Sequence, residues 1–505
     1  MRRGSRRPAT VRSLFASPPM KRLLLVFLLG LCVLAGVLVT RTLAVSSRQV
    51  APEAAAPFTV DADAAAARLA GALRLETVAA SDGVPANDAA FDALHAYLRE
   101  HFPRVHASLK REAVGRHSVL YTWPGTDASL RPVLLMGHLD VVPVEPGTQG
   151  AWTRPPFSGD VADGYVWGRG TLDDKGSVLA ILEAVEGLLT AGHAPKRTVL
   201  LAFGGDEEVG GHGGAEATAK LLRERGVTLE SVLDEGGMML TGTVPGITAP
   251  VALVGVAEKG FVSVELVVDG EGGHSSMPPR QTAVGILSRA ISRLEEQPMP
   301  AELRGGSRAL FEFLGPEMPF GQRLVFANLW LFEPLVLRQL SAQPSTNAAV
   351  RTTTAATMFE GSVKDNVLPS RARAVVNFRI LPGDSVEGVL AHVRGVVDDS
   401  RVKAGTLAFQ SEPSPVSRTD SEGWGVLQKS IRQVFPESLV APYLMVGAAD
   451  ARYFTGLSDS VYRFMPLRLE RADLARLHGR DERVSVQGYA GAVRFYAQYL
   501  RNTDG

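Results

Sequence analysis

The sequence contains one cysteine, Cys32, in 505 residues. A single cysteine excludes an intramolecular disulfide and a cysteine-rich metal site, so histidines and carboxylates would have to hold any bound metal ion. The chain also lacks an excess of either charge, because its 53 lysines and arginines equal its 53 aspartates and glutamates. This balance gives no reason to expect nucleic acid as a partner.

Acidic residues are absent from the N-terminal segment 1–22, and charged residues of either sign are absent from 23–40. These apolar residues are just enough to cross a bilayer, and the basic flank favours a cytoplasmic N-terminus. We expect a basic cytoplasmic tail (1–22) and a transmembrane helix (23–44), with the body in the periplasm or extracellular space. The alternative is a cleaved signal peptide with a weak site at "TLA", which would leave the protein secreted.

Segment 45–58 is small, polar and proline-bearing, as expected of a linker. From 59 to 255, "RPVLLMGHLD" and "RTVLLAFGGDEE" predict buried strands, and "KGSVLAILEAVEGLLTAG" between them predicts a helix. Strand, helix and strand in this order predict an α/β fold with a mainly parallel sheet sandwiched by helices. Ligands of such sheets bind at the carboxyl ends of the strands.

The pattern changes near 256. The strand-like "EKGFVSVELVVDG", the amphipathic "TAVGILSRAISRLEEQ" and the strand-like "RARAVVNFRILPG" predict an inserted α+β domain over 256–402. Segment 300–345 is rich in large apolar residues and prolines, and its pattern assigns no element. Residues 403–505 are expected to complete the domain that begins at 59.

Acidic and histidine side chains follow several predicted strands. "LLAFGGDEEVGG" ends in three acids, and Asp206, Glu207 and Glu208 would repel one another unless they are solvated or face a positive ion. In "GHLDVVP", His138 and Asp140 face the same side of an extended chain. Asp140 could therefore brace a metal-bound imidazole, although a capped turn with a satisfied histidine explains the pair equally well.

Further ligand types lie elsewhere in the chain. Asp173 and Asp174 precede a predicted helix, where one acid could cap the helix while the other enters the cleft. Asp234 and Glu235 end another apolar run, and His478 precedes a glycine. Two histidines and several carboxylates suit two zinc-like ions that share a bridging carboxylate. A single ion would leave buried acids uncompensated.

Six motifs appear in a fixed order: "GHLDVVP", "GRGTLDDKGS", "GGDEEVGG", "DEG", "GGHSSMPP" and "HGRDE". Together they resemble the dizinc aminoacylase and carboxypeptidase family, peptidase family M20, from about 60 to 500. Longer runs such as "NAAVRTTTAATMFEGSVKDNVLPSRARAVVNFRILPGDS" are similar to the branch of Gly-X carboxypeptidases and N-fatty-acyl-amino-acid synthase/hydrolases.

The resemblance implies a ligand set for two divalent ions, zinc first, with cobalt or manganese as alternatives. His138 and Asp234 would bind one ion, and Glu208 and His478 the other. Asp173 would bridge the two ions.

It also implies the residues that act around the ions. Asp140 would orient His138, and Glu207 would be the general base and acid. The peptide bond between Asp173 and Asp174 is expected to be cis.

Other matches concern the substrate. The resemblance implies that the insert is a lid and dimerisation domain. His274 of this insert would stabilise the oxyanion of the reaction. Arg379 would bind a substrate carboxylate, with Asn347 as a polar partner. Arg452 matches a segment near the cleft, although "GAAD" replaces an expected hydroxyl-rich sequence. His212 has no counterpart and is interpreted as a loop histidine.

These roles predict hydrolysis of an amide whose amine side carries a carboxylate. A carboxypeptidase of short peptides and a hydrolase or synthase of N-acyl amino acids both fit. Apolar residues in 306–335 could line an acyl pocket or form the core of the lid. A different function, a membrane-anchored binding protein without catalysis, would predict a missing ligand or base, and none of the expected residues is missing.

Overall fold

A computed structural model describes residues 18–80 and 85–504. Most of the expected cytoplasmic tail, residues 1–17, therefore lies outside the described residues. The helices of the described part are α1 (Pro18–Ala44), α2 (Ala62–Leu73), α3 (Asp88–His101), α4 (Pro103–Ser108), α5 (Lys175–Thr190), α6 (Ala217–Glu224), α7 (Ala283–Glu296), α8 (Gly305–Leu314), α9 (Phe320–Ala327), α10 (Leu329–Leu340), α11 (Pro344–Val350), α12 (Val386–Val397), α13 (Glu422–Val434) and α14 (Val486–Asn502).

The strands are numbered in the same way along the chain. They are β1 (Lys110–Val114), β2 (Ser118–Trp123), β3 (Val133–His138), β4 (Asp160–Ala162), β5 (Tyr165–Trp167), β6 (Val199–Gly204), β7 (Ser231–Asp234), β8 (Met239–Thr241), β9 (Val251–Glu258), β10 (Gly260–Asp269), β11 (Gly273–His274), β12 (Thr353–Glu360), β13 (Val367–Leu368), β14 (Arg371–Ile380), β15 (Val402–Ser411), β16 (Leu439–Met445), β17 (Val461–Arg463), β18 (Arg468–Glu470) and β19 (Arg483–Ser485).

The two apolar runs that predict strands form β3 and β6, which are parallel neighbours in a ten-stranded sheet. The sheet order is β1-β2-β6-β3-β7-β17-β9-β8-β18, and β16 also pairs with β9. Strands β6, β3, β7 and β17 run parallel at its centre, whereas β1 and β2 add antiparallel pairs at one edge. The prediction of a mainly parallel central sheet is confirmed.

Alternating side chains of the central strands pack on opposite faces of the sheet. On β3, Val133 and Leu135 join the core with helices α5 and α14, whereas Leu134 and Met136 join the core with α6. Helices therefore cover both faces, as the order of predicted elements indicates.

The insert contains a separate antiparallel sheet in the order β12-β14-β10-β15, and α7 and α12 pack on it. Strand β9 belongs to the large sheet, so the small sheet begins after Glu258 rather than at 256. Strand β15 pairs with β10, so the small sheet extends to Ser411 rather than ending at 402. Both expected boundaries shift toward the C-terminus for these reasons.

Helices α8 to α11 account for the segment that the sequence left unassigned. Helix α8 packs on β16 and β9 of the large sheet, and α9 packs on α1. This segment is therefore outside the core of the small sheet.

Helix α1 is long and apolar enough to cross a membrane by length and composition. Segment 45–58, which was expected to be a linker, follows α1 and is hydrogen-bonded to the body. Gln49 exchanges two hydrogen bonds with the backbone of Val440, and the backbone of Ala56 donates to Gln498. These contacts fix the path by which the chain leaves α1.

Candidate metal centre

The carboxyl ends of β3, β6 and β7 lie side by side, because these strands are parallel. His138 ends β3, the acidic run begins just after β6, and Asp234 ends β7. The sheet thus brings three of the sequence motifs to one edge, as its predicted direction requires.

Asp173 lies between two imidazoles from distant parts of the chain. Its Oδ1 is 2.9 Å from Nε2 of His138, and its Oδ2 is 2.9 Å from Nε2 of His478. Glu208 Oε2 is 3.5 Å from the same nitrogen of His478. One ligand atom each from His138, Asp173 and Glu208 lie within 4.8 Å of one another, a spacing that suits a shared metal ion.

The contacts between Asp173 and the two imidazoles shift the pKa values of these groups. Burial alone would raise the pKa of Asp173, but hydrogen bonds from both imidazoles lower it below its usual range. The hydrogen bonds to Asp173 and Glu208 raise the pKa of His478 to about 10. The centre thus favours positive charge at the two imidazole positions, which a cation can supply in place of the protons.

The predicted contact of Asp140 with His138 is present. His138 Nδ1 donates to the Asp140 carbonyl oxygen at 2.9 Å and lies 3.4 Å from the carboxylate Oδ1. The Asp140 carboxylate also accepts the backbone N–H groups of Glu207 and Glu208, at 3.1 and 3.0 Å. Asp140 therefore connects the imidazole to the turn that carries both glutamates.

Glu207 and Glu208 begin a short helical turn after β6 and both line the cleft. Burial raises the pKa of Glu207 well above its usual value, while the charge of His138 lowers it and neighbouring acids raise it further. Glu208 Oε1 is buried and has no hydrogen-bond partner among the residues that the structure describes. The third acid of the run, Asp206, accepts the backbone N–H of Gly213 and so stabilises the following turn.

The neighbouring acids Asp234 and Glu235 have different surroundings. Asp234 is buried, and its carboxylate accepts the backbone N–H of Ala451 at 2.7 Å. Glu235 lines the cleft beside Asp173 and His478. The Ala451 contact occupies one oxygen of Asp234, so Asp234 keeps an oxygen for its predicted role as a ligand, and Glu235 is a further acid at the cleft.

The paired aspartates before α5 also differ from one alternative of the sequence analysis. Their mutual peptide bond is cis, as the resemblance implies. Asp174 makes no side-chain cap to α5, and its Oδ2 accepts the backbone N–H of His138 instead. Asp173 therefore lines the cleft, while Asp174 binds the backbone at the end of β3.

A buried ion pair that the sequence analysis missed holds the ligand loops. Glu482 Oε1 accepts the backbone N–H groups of Gly170, Leu172 and Asp173, and Oε2 accepts from Arg169 at 2.7 Å. Arg169 also donates to the carbonyl oxygen of residue 478. Glu482 belongs to the "HGRDE" motif, so that motif was the available signal.

The cleft has a volume of about 260 Å³. Acidic side chains and one imidazole line it together with four apolar side chains: Met238, Met445, Met465 and Leu477. Its lining residues lie outside 306–335, so that segment does not form the acyl pocket in this conformation.

Residues expected at the substrate lie outside this cleft. His274 is exposed on β11, which pairs with the distant strand β13, and its Nδ1 lies 2.8 Å from Ser276 Oγ. Arg379 is on β14 and stacks on the ring of Phe261. The structure does not bring His274 or Arg379 to Asp173.

Arg379 and Asn347 instead approach a buried lysine. Lys259 donates to the carbonyl oxygens of Ala348 and Arg351, and Asn347 Oδ1 accepts from Arg351. Burial and the nearby charge of Arg379 lower the pKa of Lys259 to about 8. The backbone N–H of Lys259 donates to Met445, a cleft residue, so this basic region borders the cleft.

Arg452 and His212 contact the loop after the acidic run. Arg452 donates to the carbonyl oxygens of Ala449 and Gly210, so its guanidinium supports backbone rather than facing the cleft. His212 is exposed and pairs with Glu216, in agreement with a loop histidine.

Comparison of the sequence with known proteins identifies the family of the chain. The pattern described as peptidase family M20/M25/M40 matches residues 134–502. The chain belongs to peptidase family M20. It is 43% identical over 477 residues to a probable carboxypeptidase S-like 2 of Dictyostelium discoideum, covering 92% of this chain and 91% of that one.

Two further relatives differ in the substrates that their names indicate. The human N-fatty-acyl-amino acid synthase/hydrolase PM20D1 is 42% identical over 443 residues, covering 86% of this chain and 87% of that one. Carboxypeptidase S of Saccharomyces cerevisiae is 33% identical over 493 residues, covering 86% and 84%. The M20 metallo-carboxypeptidase Sso-CP2 of Sulfolobus solfataricus shares the fold, with a TM-score of 0.63 at 19% identity over 88% of this chain and 100% of that chain.

We predict that Glu482→Ala weakens metal binding while the protein stays folded. The change frees three backbone N–H groups and leaves Arg169 unpaired, so the Asp173 and His478 loops lose their common support. Cobalt(II) binding, followed by the visible absorption of the bound ion, should weaken about 10- to 100-fold.

The matched control is Glu183→Ala, since Glu183 is also a largely buried glutamate paired with an arginine, Arg68. This control should lower thermal stability and leave cobalt affinity unchanged. Equal cobalt affinities in wild type and Glu482→Ala would contradict the positioning role.

Proposed function

We propose that this M20 enzyme is a two-metal hydrolase of amides whose amine side carries a free carboxylate. The observation that supports it most is the position of Asp173 between the imidazoles of His138 and His478, with Glu208 at the second imidazole. A carboxylate with one oxygen toward each imidazole suits a bridge between two ions.

Two zinc ions fit the donor set of imidazole nitrogens and carboxylate oxygens, and cobalt or manganese can replace them. His138 and Asp234 would hold one ion, Glu208 and His478 the other, and Asp173 both. The unpaired buried Oε1 of Glu208 supports this assignment, because a buried carboxylate oxygen needs a positive partner. Bound ions of this kind polarise a carbonyl and lower the pKa of water.

Glu207 would move the proton. It lies in the cleft next to Glu208, and Asp140 fixes its backbone N–H at 3.1 Å. Its raised pKa suits a group that accepts a proton from the attacking water and then donates it to the leaving nitrogen.

The substrate carboxylate would bind at the basic region that borders the cleft. Arg379 offers a guanidinium fork there, and Lys259 adds a second positive charge nearby. The small sheet carries Arg379 on β14, and its strand β10 leads into the loop before His274, so movement of the sheet over the cleft would bring both groups to the substrate. We propose this insert as the lid, and as the contact of a homodimer if His274 acts in a neighbouring cleft.

Two substrate classes remain in the proposal, short peptides and N-acyl amino acids. The three methionines that line the cleft favour a substrate with an acyl chain or an apolar side chain, because methionine adapts to irregular apolar groups. The names of the curated relatives cover both classes. We propose further that α1 anchors the body outside the cytoplasm.

Glu207→Gln tests the reaction together with its substrates. The full chain in detergent, loaded with zinc, is assayed on Gly-X dipeptides and on N-oleoyl amino acids in parallel. Wild type should hydrolyse at least one class, and Glu207→Gln should lose at least about 10²- to 10⁴-fold in kcat, since the amide cannot accept the proton. Metal content, measured by mass spectrometry, should stay the same.

Absence of turnover with a folded, metal-loaded wild type would instead support the non-catalytic binding protein. A Glu207→Gln variant with wild-type kcat would show that another group is the base.

Arg379→Met tests the carboxylate site. A hydrogen bond to a charged group contributes about 1.5–3 kcal/mol, so kcat/KM on a substrate with a free carboxylate should fall roughly 10- to 100-fold. The carboxamide form of the same substrate should be little affected. The ratio of the two kcat/KM values is the measurement.

Arg373→Met is the matched control, because Arg373 lies on the same strand but pairs with Glu265 and Glu360. It should leave the ratio unchanged. An Arg379→Met variant that keeps the wild-type ratio would exclude Arg379 from carboxylate binding.

A further inference from the structure

Helices α9 and α10 lie beside the C-terminal end of the apolar helix α1. Asn328, between α9 and α10, is fully buried and donates to the carbonyl oxygen of Leu38 at 3.1 Å. The same amide lies 3.3 Å from the hydroxyl of Thr42, which is also fully buried. A polar contact between buried groups fixes α1 against this part of the body.

The chain after α1 is held at the same place. Arg323 on α9 donates to the carbonyl oxygen of Val45 at 2.6 Å, and Gln428 donates to that of Arg48 at 2.9 Å. The body therefore cannot swing freely about the end of α1. A membrane crossed by α1 would meet the body at α9 and α10.

These helices expose large apolar side chains at that position. Trp330, Leu331 and Leu335 on α10 are 56%, 40% and 57% exposed, and Phe320 at the start of α9 is 53% exposed. Leu331 and Leu335 are four residues apart and share one face of α10, and Trp330 lies beside Leu331 around the same helix. Val336 of the same helix is buried in the opposite direction, so α10 has a packed face and an apolar outer face.

The contacts of Asn328 with Leu38 and Thr42 set the junction of α9 and α10 at the C-terminal end of α1, where a helix that crosses a bilayer leaves it. The hydrocarbon core is about 30 Å thick, which the apolar part of α1 just spans. At about 1.5 Å per residue, Leu38 lies roughly 6 Å below Thr42 along α1. Interfacial helices bury their apolar face about 5–10 Å deep, in the same range.

We propose that α9 and α10 form a second membrane contact, with Phe320, Trp330, Leu331 and Leu335 inserted into the outer surface of the bilayer that α1 crosses. The occupant of this apolar face is thus lipid, because the face continues from a helix whose apolar surface is itself uncovered. Tryptophan is enriched at such interfaces. Arg338, exposed near the end of α10, can reach the headgroups. The proposal rests on α1 being a retained anchor and is independent of the hydrolase reaction.

Trp330 provides the probe for a direct test. The other four tryptophans are buried in the body: Trp123, Trp152, Trp167 and Trp424. The full chain is placed in nanodiscs of phosphatidylcholine, with or without bromine on the acyl chains near the headgroup, and tryptophan emission is recorded. The emission of Trp330 is the difference between wild type and Trp330→Phe, and brominated lipid should quench most of it. The emission of Trp330→Phe itself should stay nearly unchanged.

A second variant separates insertion from simple proximity. Replacing Leu331 and Leu335 together by glutamate should restore most of the Trp330 emission in brominated lipid, because charged side chains oppose insertion. Val363→Glu is the control at a fully exposed valine of the insert and should leave the quenching as in wild type.

Three results would overturn the proposal. Equal quenching of wild type and Trp330→Phe would place Trp330 away from lipid. Protection of Trp330 from aqueous iodide without quenching by brominated lipid would show that a protein surface, such as a second copy, covers this face. A purified chain that begins after Ala44 would lack the anchor on which the contact depends. Hydrolysis in detergent measures the proposed reaction separately.

Discussion

Buried carboxylates crowd one edge of the large sheet, and their mutual repulsion is the constraint on which the site depends. Parallel strands bring Glu207, Glu208 and Glu235 into the cleft that Asp173 enters from the loop before α5. Such a group is stable only with positive charge among its members. The two imidazoles supply a part of it, and a pair of divalent ions would supply the rest.

The structure holds this charge pattern through backbone contacts. Asp140 accepts the backbone N–H groups of Glu207 and Glu208, and Glu482 accepts those of the loop that carries Asp173. Each supporting carboxylate lies one layer behind the cleft and is fully buried. The ligands therefore come from sequence positions more than 300 residues apart, yet two buried acids and one arginine, Arg169, set their spacing.

The sequence predicts the large sheet and most of the cleft residues because apolar strands followed by acids form a regular pattern. It does not predict a role for Glu235, a buried acid that lines the cleft next to the predicted ligand Asp234. Strand β15 was missed because most of its residues are exposed or half-exposed, without a buried alternation. Segment 300–345 lacks a single period because its apolar residues divide between the body, α1 and the outer face of α10.

Anomalous diffraction at the zinc absorption edge, from crystals of the zinc-loaded full chain, tests the central claim most directly. Two peaks per chain should appear on either side of the Asp173 carboxylate, one beside His138 and the other between Glu208 and His478. A single peak, or two peaks that do not share Asp173, would contradict a bridged two-metal centre.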